Sequence, residues 1–295
     1  MTGRIVLFLW VLLLLSVSSC NNSGGKQGNS QEVQNDTIGM HQEKKFQTVY
    51  YRFPTPNEVF SFIKSEELAF DPSLINPVSN VSKYLDSKSQ TVALGVYIAD
   101  LAYITIFESY NNSLAYYKAI HNLSEKVRIT SAYDLDVAKR IEKNLLNLDS
   151  LKNISVESYS SMVEFLIMNN RETTLALIAS GAYVECFYIA FNLAGKYTPS
   201  NPLIAKIMDL KYAFDNLYSY LQIYSDNQQV KEMAQQLSNL KVLFDQIKED
   251  KTSKTRVRQD KNGHLIFEGG TRLHIDEKIY NEIWDEVYRL RKKII

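Results

Sequence analysis

The chain has 295 residues, with 33 Lys plus Arg against 33 Asp plus Glu. Because these charges balance, the chain has no long-range basic field, and the composition argues against a nucleic-acid-binding protein. Hydrophobic residues make up 45% of the chain and charged residues 22%, which is typical of a globular protein rather than a disordered one.

The first 20 residues contain the parts of an export signal in order. Arg4 is the basic residue, and Ile5 to Leu15 is an apolar stretch too short to span a bilayer. Ser18 and Ser19 then place small residues before Cys20. This order resembles the lipobox of bacterial lipoproteins. The resemblance implies cleavage before Cys20, attachment of diacylglycerol to its sulfur and frequent acylation of the new amine.

The same resemblance predicts the location of the protein. Residues 1–19 are the expected signal peptide, and the lipid on Cys20 is the expected membrane anchor. Asn21 follows the cysteine, and in this family a residue other than Asp usually permits sorting to the outer membrane. We therefore expect a cell-envelope protein at the outer membrane of a Gram-negative bacterium, either periplasmic or surface-exposed. The alternative is a plain secretory signal with a chance cysteine.

Residues 20–45 are predicted to be a flexible, lipid-anchored tether. They are rich in Asn, Ser, Gly, Gln and Lys and hold too few large apolar groups to fold. As a random coil, this segment would separate the domain from the membrane by about 25–30 Å. Residues 46–295 then form the predicted single helical domain.

Capping residues and apolar periodicity predict an all-α bundle of about 9–10 helices. Thr55-Pro56-Asn57-Glu58 and Asn201-Pro202 have the pattern of helix starts, and Asp276 is the expected cap of the last helix. Apolar residues repeating at intervals of three and four predict helices near 112–128, 134–151, 202–225, 228–249 and 276–294. Basic residues suit the carboxyl end of the last helix: Arg289, Arg291, Lys292 and Lys293.

Two stretches, Val92 to Phe107 and Leu175 to Ala194, are apolar on nearly all sides and are predicted to be central helices. The second is long enough to span a membrane. Glu185 would then lie mid-span, where a carboxylate costs about 2.5–3.5 kcal/mol on insertion scales. A buried helix of a water-soluble body is therefore the preferred interpretation.

The two central stretches also resemble each other. Gly95-Val96-Tyr97-Ile98 matches Gly181-Ala182-Tyr183-Val184, and further predicted helices follow each of them. One hypothesis is a duplication, with three-helix units over 88–151 and 171–250. The alternative is chance similarity between two apolar helices.

One segment departs from the helical pattern. Alternating runs at 255–258 and 264–267 flank Asn262-Gly263, which is a strong signal for a two-residue turn. The sequence therefore predicts one small β-hairpin near 255–268, followed by the C-terminal helix over 276–294.

Motifs for catalysis or cofactor binding are scarce. The sequence lacks the glycine-rich phosphate loops, the G-x-S-x-G motif and the H-E-x-x-H motif. The four histidines are scattered without nearby cysteine or carboxylate partners, so we predict no metal site and no cofactor. Cys186 lies in an apolar run and is expected to be a small buried hydrophobe.

Two acidic residues within the central helices, Asp100 and Glu185, are the candidate buried polar residues. A buried carboxylate must find a partner or take up a proton. One interpretation is a functional acid–base pair, since perturbed acids concentrate in sites. The preferred one is structural, with hydrogen bonds to tyrosine hydroxyls or an ion pair with an arginine such as Arg128 or Arg171.

The chain has 19 tyrosines, several of them near the central helices. If helix pairs leave a groove, these rings could line it and stack on a sugar, a lipid or a peptide. The alternative is that they complete the core at its wet edge. The candidate groove residues are Tyr97, Tyr103, Tyr183 and Tyr188.

The predicted function is a non-enzymatic module that binds an envelope protein or a small ligand, held to the membrane by its lipid and without a nucleic-acid partner. Two alternatives stay open. One is an enzyme that uses Asp100 and Glu185 as its acid and base. The other is a structural accessory of a larger envelope complex.

Overall fold

The computed structural model describes residues 54–65, 67–107, 113–130, 135–144, 147–259 and 265–295. The predicted signal peptide, Cys20 and the tether lie outside these ranges, as does the beginning of the predicted domain.

The described residues form an all-α bundle with one β-hairpin, which confirms the predicted fold class. A 3-10 helix at Val78–Lys83 separates the first two α-helices. Two strands, β1 (Lys248–Gln259) and β2 (Leu265–His274), precede the last helix. The helices are α1 (Pro56–Ile63), α2 (Ser87–Ile106), α3 (Ser113–Val127), α4 (Leu135–Lys143), α5 (Leu148–Met168), α6 (Glu172–Ala194), α7 (Pro202–Ile223), α8 (Gln228–Asp245) and α9 (Glu277–Ile294).

The predicted helix caps are confirmed. At the start of α1, the Glu58 amide donates to Thr55 Oγ1 over 3.2 Å, and the Thr55 amide donates back to Glu58 Oε2 over 2.6 Å. Asn201 accepts from the amide of Leu203, and Asp276 accepts from the amide of Ile279. Each side chain bonds an amide that has no partner within its own helix.

Helices α2 and α6 cross at the centre of the bundle, as their apolar sequences predict. Helix α6 packs against α1, α2, α5, α7, α8 and α9, and α2 packs against α1, α3, α5, α6 and α9. By length and composition, both are candidates to span a membrane among the described helices, but 89% of each candidate span is buried inside the protein. The core helix of a soluble protein would be buried to the same extent.

The helix predicted near 134–151 is in fact two helices, and that prediction is corrected. Helix α4 ends at Lys143, and Asn147 caps α5 by accepting from the Ser150 amide over 3.0 Å. The apolar stripe misled because it continues across the break: Ile141 of α4 and Leu151 of α5 lie in one hydrophobic cluster.

The core has two parts. A main hydrophobic cluster unites α1–α3 with α5–α9. A smaller, separate cluster joins Tyr117 of α3 to α4 and the first two turns of α5; its other buried members are Val137, Ile141, Leu151 and Ile154. The seam between the two clusters positions the candidate site described below.

The predicted hairpin is confirmed, and its strands extend beyond 255–268. They are antiparallel, with Gln259 opposite Leu265 at one end and Lys248 opposite His274 at the other. The pairing is irregular between Thr252 and Arg256. The predicted Asn-Gly turn lies outside the described residues.

Candidate functional site

Helices α2 and α6 bring the two candidate acids together. Asp100 and Glu185 are both fully buried, and their carboxyl groups lie close enough to share a hydrogen bond when one of them carries a proton. Glu185 also accepts from Arg291 of α9: Nε lies 2.8 Å from Oε2, and Nη2 lies 2.7 Å from Oε1. This two-pronged ion pair fastens the C-terminal helix to the centre of the bundle.

Arg291 makes two further contacts. Its Nη2 donates to the carbonyl of Leu74 over 3.0 Å, and its guanidinium carbon lies 3.8 Å from the centre of the Tyr188 ring. The sequence had indicated Arg128 or Arg171 as partners of the acids, and this is wrong. Arg171 instead donates to the backbone carbonyls of Val127, the last residue of α3, and Arg128, which follows it.

The environment of Asp100 favours its protonated form. Burial raises the pKa of Asp100 well above its usual range, and the negative charge of Glu185 raises it further. Asp100 Oδ2 accepts from the Asn76 amide over 3.2 Å, while Oδ1 receives no donor when the group is ionised. A protonated Asp100 donates to Glu185 and satisfies this oxygen. Burial also raises the pKa of Glu185, but Arg291 opposes that shift.

The candidate tyrosines fasten loop segments to the core instead of lining a common groove. Tyr97, Tyr103 and Tyr183 are buried. The Tyr97 hydroxyl donates to the carbonyl of Pro77, Tyr183 donates to that of Pro54, and Tyr103 accepts from the Asp71 amide. Tyr188 is partly exposed and covers Arg291. A buried ring satisfies its hydroxyl on nearby backbone, and this requirement explains the arrangement.

The cluster of Asp100, Glu185 and Arg291 has the properties of a structural contact that holds helices together. Neither carboxyl group is exposed, and each is engaged by a neighbour. An acid–base catalyst must lie within hydrogen-bonding reach of its substrate. Packing on every side of these acids prevents that approach in the structure as it stands.

An apolar crevice between the two hydrophobic clusters is a better candidate for a binding site. Its walls come from α2, α3, α4 and α5, and none of the described residues that line it has a charged side chain. The space between the walls is about 450 Å³, including the open side, but only about 20 Å³ admits a water molecule, which is room for about one water. The lining residues are Ile98, Leu101, Thr105, Ser113, Tyr117, Ile120, Ile141, Leu151, Ile154, Ser155, Ser158 and Tyr159.

Two buried polar atoms, one at this crevice and one on a residue bonded to its lining, have no hydrogen-bond partner among the described residues. One is Oγ of Ser158, which lines the crevice. The other is Nδ2 of Asn57, whose Oδ1 accepts from the lining residue Ser155 over 3.3 Å. Sequence reasoning missed this site. Its only local signal is a pair of serines one turn apart on the inner face of α5.

Other reactive groups in the described part of the chain give no second candidate. Cys186 is a buried free thiol, as expected from its apolar surroundings, and burial raises its pKa. Within the described ranges, no three His, Cys, Asp or Glu side chains are grouped so as to hold a metal ion.

Comparisons with protein families, with curated proteins and with solved structures found no match to this chain.

Proposed function

We propose that the protein is a lipid-anchored, non-enzymatic protein of the bacterial cell envelope whose helical body binds a small apolar ligand. The observation that supports the binding function is the crevice between the two hydrophobic clusters, with its apolar, uncharged walls. Ligand pockets are commonly apolar with a few placed polar groups, and Ser155 and Ser158 are such groups here.

The two walls supply the driving force for binding. Ile98, Leu101 and Ile120 belong to the side of the main core, and Ile141, Leu151 and Ile154 belong to the side of the smaller cluster. An apolar ligand inserted between them would remove its surface from water, which contributes about 25 cal/mol per Å².

The division of the core provides an opening movement. Because α4 and the first turns of α5 share a cluster of their own with Tyr117, they can move outward without disrupting the main core. The structure has the crevice nearly closed, with room for about one water. A ligand of useful size therefore enters when α4 and the start of α5 shift.

The enzyme alternative receives less support. Its two acids are sealed in packing, and Arg291 neutralises the charge of Glu185. The ion pair between Glu185 and Arg291 explains how α9 is held in place, and this structural role does not require a catalytic function for the acids.

The anchor is proposed from Arg4, the apolar stretch after it and Cys20. In cells grown with an alkyne-tagged palmitate, we expect the full chain to be labelled and the Cys20→Ser variant to be unlabelled and uncleaved. A variant that still partitions with membranes as the parent does would argue against lipid anchorage.

The crevice is tested by native mass spectrometry of the full protein after mild extraction from its membranes. We expect a co-purified apolar molecule of a few hundred daltons, within the range of ligands that such pockets hold. Ile154→Phe narrows the crevice and should remove that mass, whereas Val242→Phe, at a site that is 59% exposed, should retain it. Equal occupancy in both variants would contradict binding in the crevice.

A further inference from the structure

A polar groove lies between α8 and α9, and it shares no lining residue with the crevice. About 570 Å³ of it is open to water, which is within the range of volumes of ligand sites. Ligand sites usually have apolar walls, but every described residue that lines this groove is polar or charged. The lining residues are Glu232, Gln235, Gln236, Ser238 and Asn239 of α8, and Arg289 and Lys293 of α9. Hydrogen bonds and charge, rather than burial of apolar surface, would therefore hold a ligand here.

Arg289 brings to the groove a guanidinium group that is already held in place. Its Nε donates to Glu286 Oε2 over 2.7 Å, and its Nη2 donates to Glu286 Oε1 over 2.6 Å. The side chain of Glu286 is only 9% exposed. Because a guanidinium has five N–H donors, these two bonds leave hydrogens on Nη1 and Nη2 for a second acceptor. A carboxylate or a phosphate can accept from such a fork with two of its oxygens.

The groove keeps a positive charge when its ion pairs are taken into account. Lys88 Nζ lies 2.6 Å from Glu232 Oε2, so the one acid of the described lining is balanced. Arg289 balances Glu286 in the same way. Lys293 lies one turn after Arg289 on α9, and none of the described residues pairs with it. Its charge therefore favours an anionic group in the groove.

Three carboxamide groups of α8 line the same groove. They belong to Gln235, Gln236 and Asn239, which are neighbours on one face of the helix because they are spaced three and four residues apart. None of the described residues is hydrogen-bonded to these side chains. A carboxamide donates through its nitrogen and accepts through its oxygen, and a hydroxyl group also does both. Three carboxamides together therefore indicate a ligand with several hydroxyl groups.

We infer that this groove binds an acidic saccharide. Arg289 and Lys293 bind its oxyanion, and the three carboxamides of α8 bind its hydroxyl groups. A uronate and a sugar phosphate share this chemistry, since either oxyanion can accept two bonds from a guanidinium. An acidic peptide fits less well, because it offers the carboxamides few groups that both donate and accept. This site goes beyond the function proposed above and does not depend on the crevice.

Ligand-observed NMR of the full-length protein in detergent micelles tests this inference with four probes: galacturonate, galactose 1-phosphate, uncharged galactose, and diglutamate, an anion without hydroxyl groups. We expect at least one of the two acidic sugars to bind about tenfold more tightly than galactose and diglutamate, which corresponds to about 1.4 kcal/mol. The tighter of the two identifies the oxyanion. Equal affinity for galactose and both acidic sugars would overturn the inference, and so would tighter binding of diglutamate.

Variants at exposed positions locate the bound sugar without disturbing the core. Lys293→Met should remove most of the preference for the acidic sugars and leave galactose binding unchanged. Lys231→Met removes the same charge from an exposed position of α8 outside the lining and should change neither. Gln235→Leu should weaken the binding of all three sugars several-fold, whereas Gln229→Leu, also exposed and outside the lining, should not. Arg289→Lys keeps the charge but loses the fork, and it should weaken the acidic sugars several-fold.

The outcomes also keep the groove and the crevice apart. Ile154→Phe, which narrows the crevice, should leave sugar binding unchanged, so each site can fail without the other. If Lys231→Met lowered the affinity for the acidic sugars as much as Lys293→Met, the anion would lie outside the groove and the inference would be wrong. Unchanged affinities in both Lys293→Met and Arg289→Lys would contradict it as well.

Discussion

Gly95 of α2 and Gly181 of α6 each lie against the backbone of the opposite helix at the centre of the bundle. A Cβ atom at Gly95 would lie 1.9 Å from the carbonyl oxygen of Ile178, and one at Gly181 would lie 2.0 Å from that of Val92. Each contacted residue lies three positions before the opposing glycine. The contact is therefore reciprocal, with a local two-fold relationship between the helices.

Gly95→Ala or Gly181→Ala should each lower the free energy of unfolding by about 3 kcal/mol. The neighbouring atom is backbone rather than a flexible side chain, so the added methyl group must push the helices apart. Urea denaturation measures the loss. Ser161→Ala, at an exposed position in a helix, should change the value by less than about 0.5 kcal/mol. If the glycine variants were as stable as this control, the close crossing would be wrong.

The reciprocal glycine contact agrees with the duplication hypothesis, which nevertheless stays a prediction. Helix α5 has 21 residues, begins at the end of the predicted first unit and extends well beyond it, and it has no counterpart between α8 and the hairpin. The matching positions have also diverged, because Ala99 occupies the position that corresponds to Glu185.

Local rules were enough to predict the capped starts of α1, α7 and α9, the central helices and the burial of Asp100 and Glu185, but not the break between α4 and α5. A capping residue or an acid within an apolar run acts through its immediate neighbours. The partner of Glu185 could not be predicted from local rules, because Arg291 lies 106 residues away in the sequence. Its position in the basic last turn of a helix is already explained by the helix dipole, so nothing local marked it as a partner of a buried acid. The crevice could not be predicted from the sequence either, because it depends on how two separate hydrophobic clusters pack against each other.

Glu185→Gln should lower the free energy of unfolding by about 3–5 kcal/mol, because it leaves the Arg291 guanidinium without a counter-charge. Arg291→Met should lower it by a similar amount, because it leaves the buried Glu185 carboxylate without a counter-charge. The double variant should recover much of the loss, and a double-mutant cycle in urea measures this coupling. Glu157→Gln removes the exposed ion pair with Arg140 and should cost less than about 1 kcal/mol. Additive losses in the cycle would show that the two side chains are not coupled.

The raised pKa of Asp100 predicts that stability falls as pH rises. Burial and the charge of Glu185 raise the pKa of Asp100 in the folded protein well above its unfolded value, so the folded state holds more protons. The contribution of Asp100 to the free energy of unfolding is then greatest below about pH 4. Above that pH it declines by up to about 1.4 kcal/mol per pH unit, until the pKa of Asp100 in the folded protein is reached. The raised pKa of Glu185 acts in the same direction.

Asp100→Asn tests this pH dependence directly. Its amide can donate to Glu185 as the protonated acid does, yet it has no proton to release. The surrounding hydroxyls of Tyr84, Tyr97 and Tyr116 have raised pKa values and stay neutral. We therefore expect the variant to gain stability relative to the parent between pH 5 and pH 8 in urea midpoints. Parallel curves for the two proteins would place an ionised Asp100 in the folded state.

Tyr97 and Tyr183 occupy matching positions on α2 and α6, and each donates its hydroxyl to the carbonyl of a proline, over 2.9 Å to Pro77 and 3.1 Å to Pro54. Phe in place of either tyrosine removes one hydrogen bond and leaves the ring in the core. Each change should therefore lower the free energy of unfolding by about 1 kcal/mol. Tyr288→Phe, at a site that is 55% exposed, is the control and should cost almost nothing in urea denaturation. A loss at Tyr97 with none at Tyr183 would show that the paired hydroxyls do not share a structural role, and would weaken the case that α2 and α6 descend from one ancestral helix.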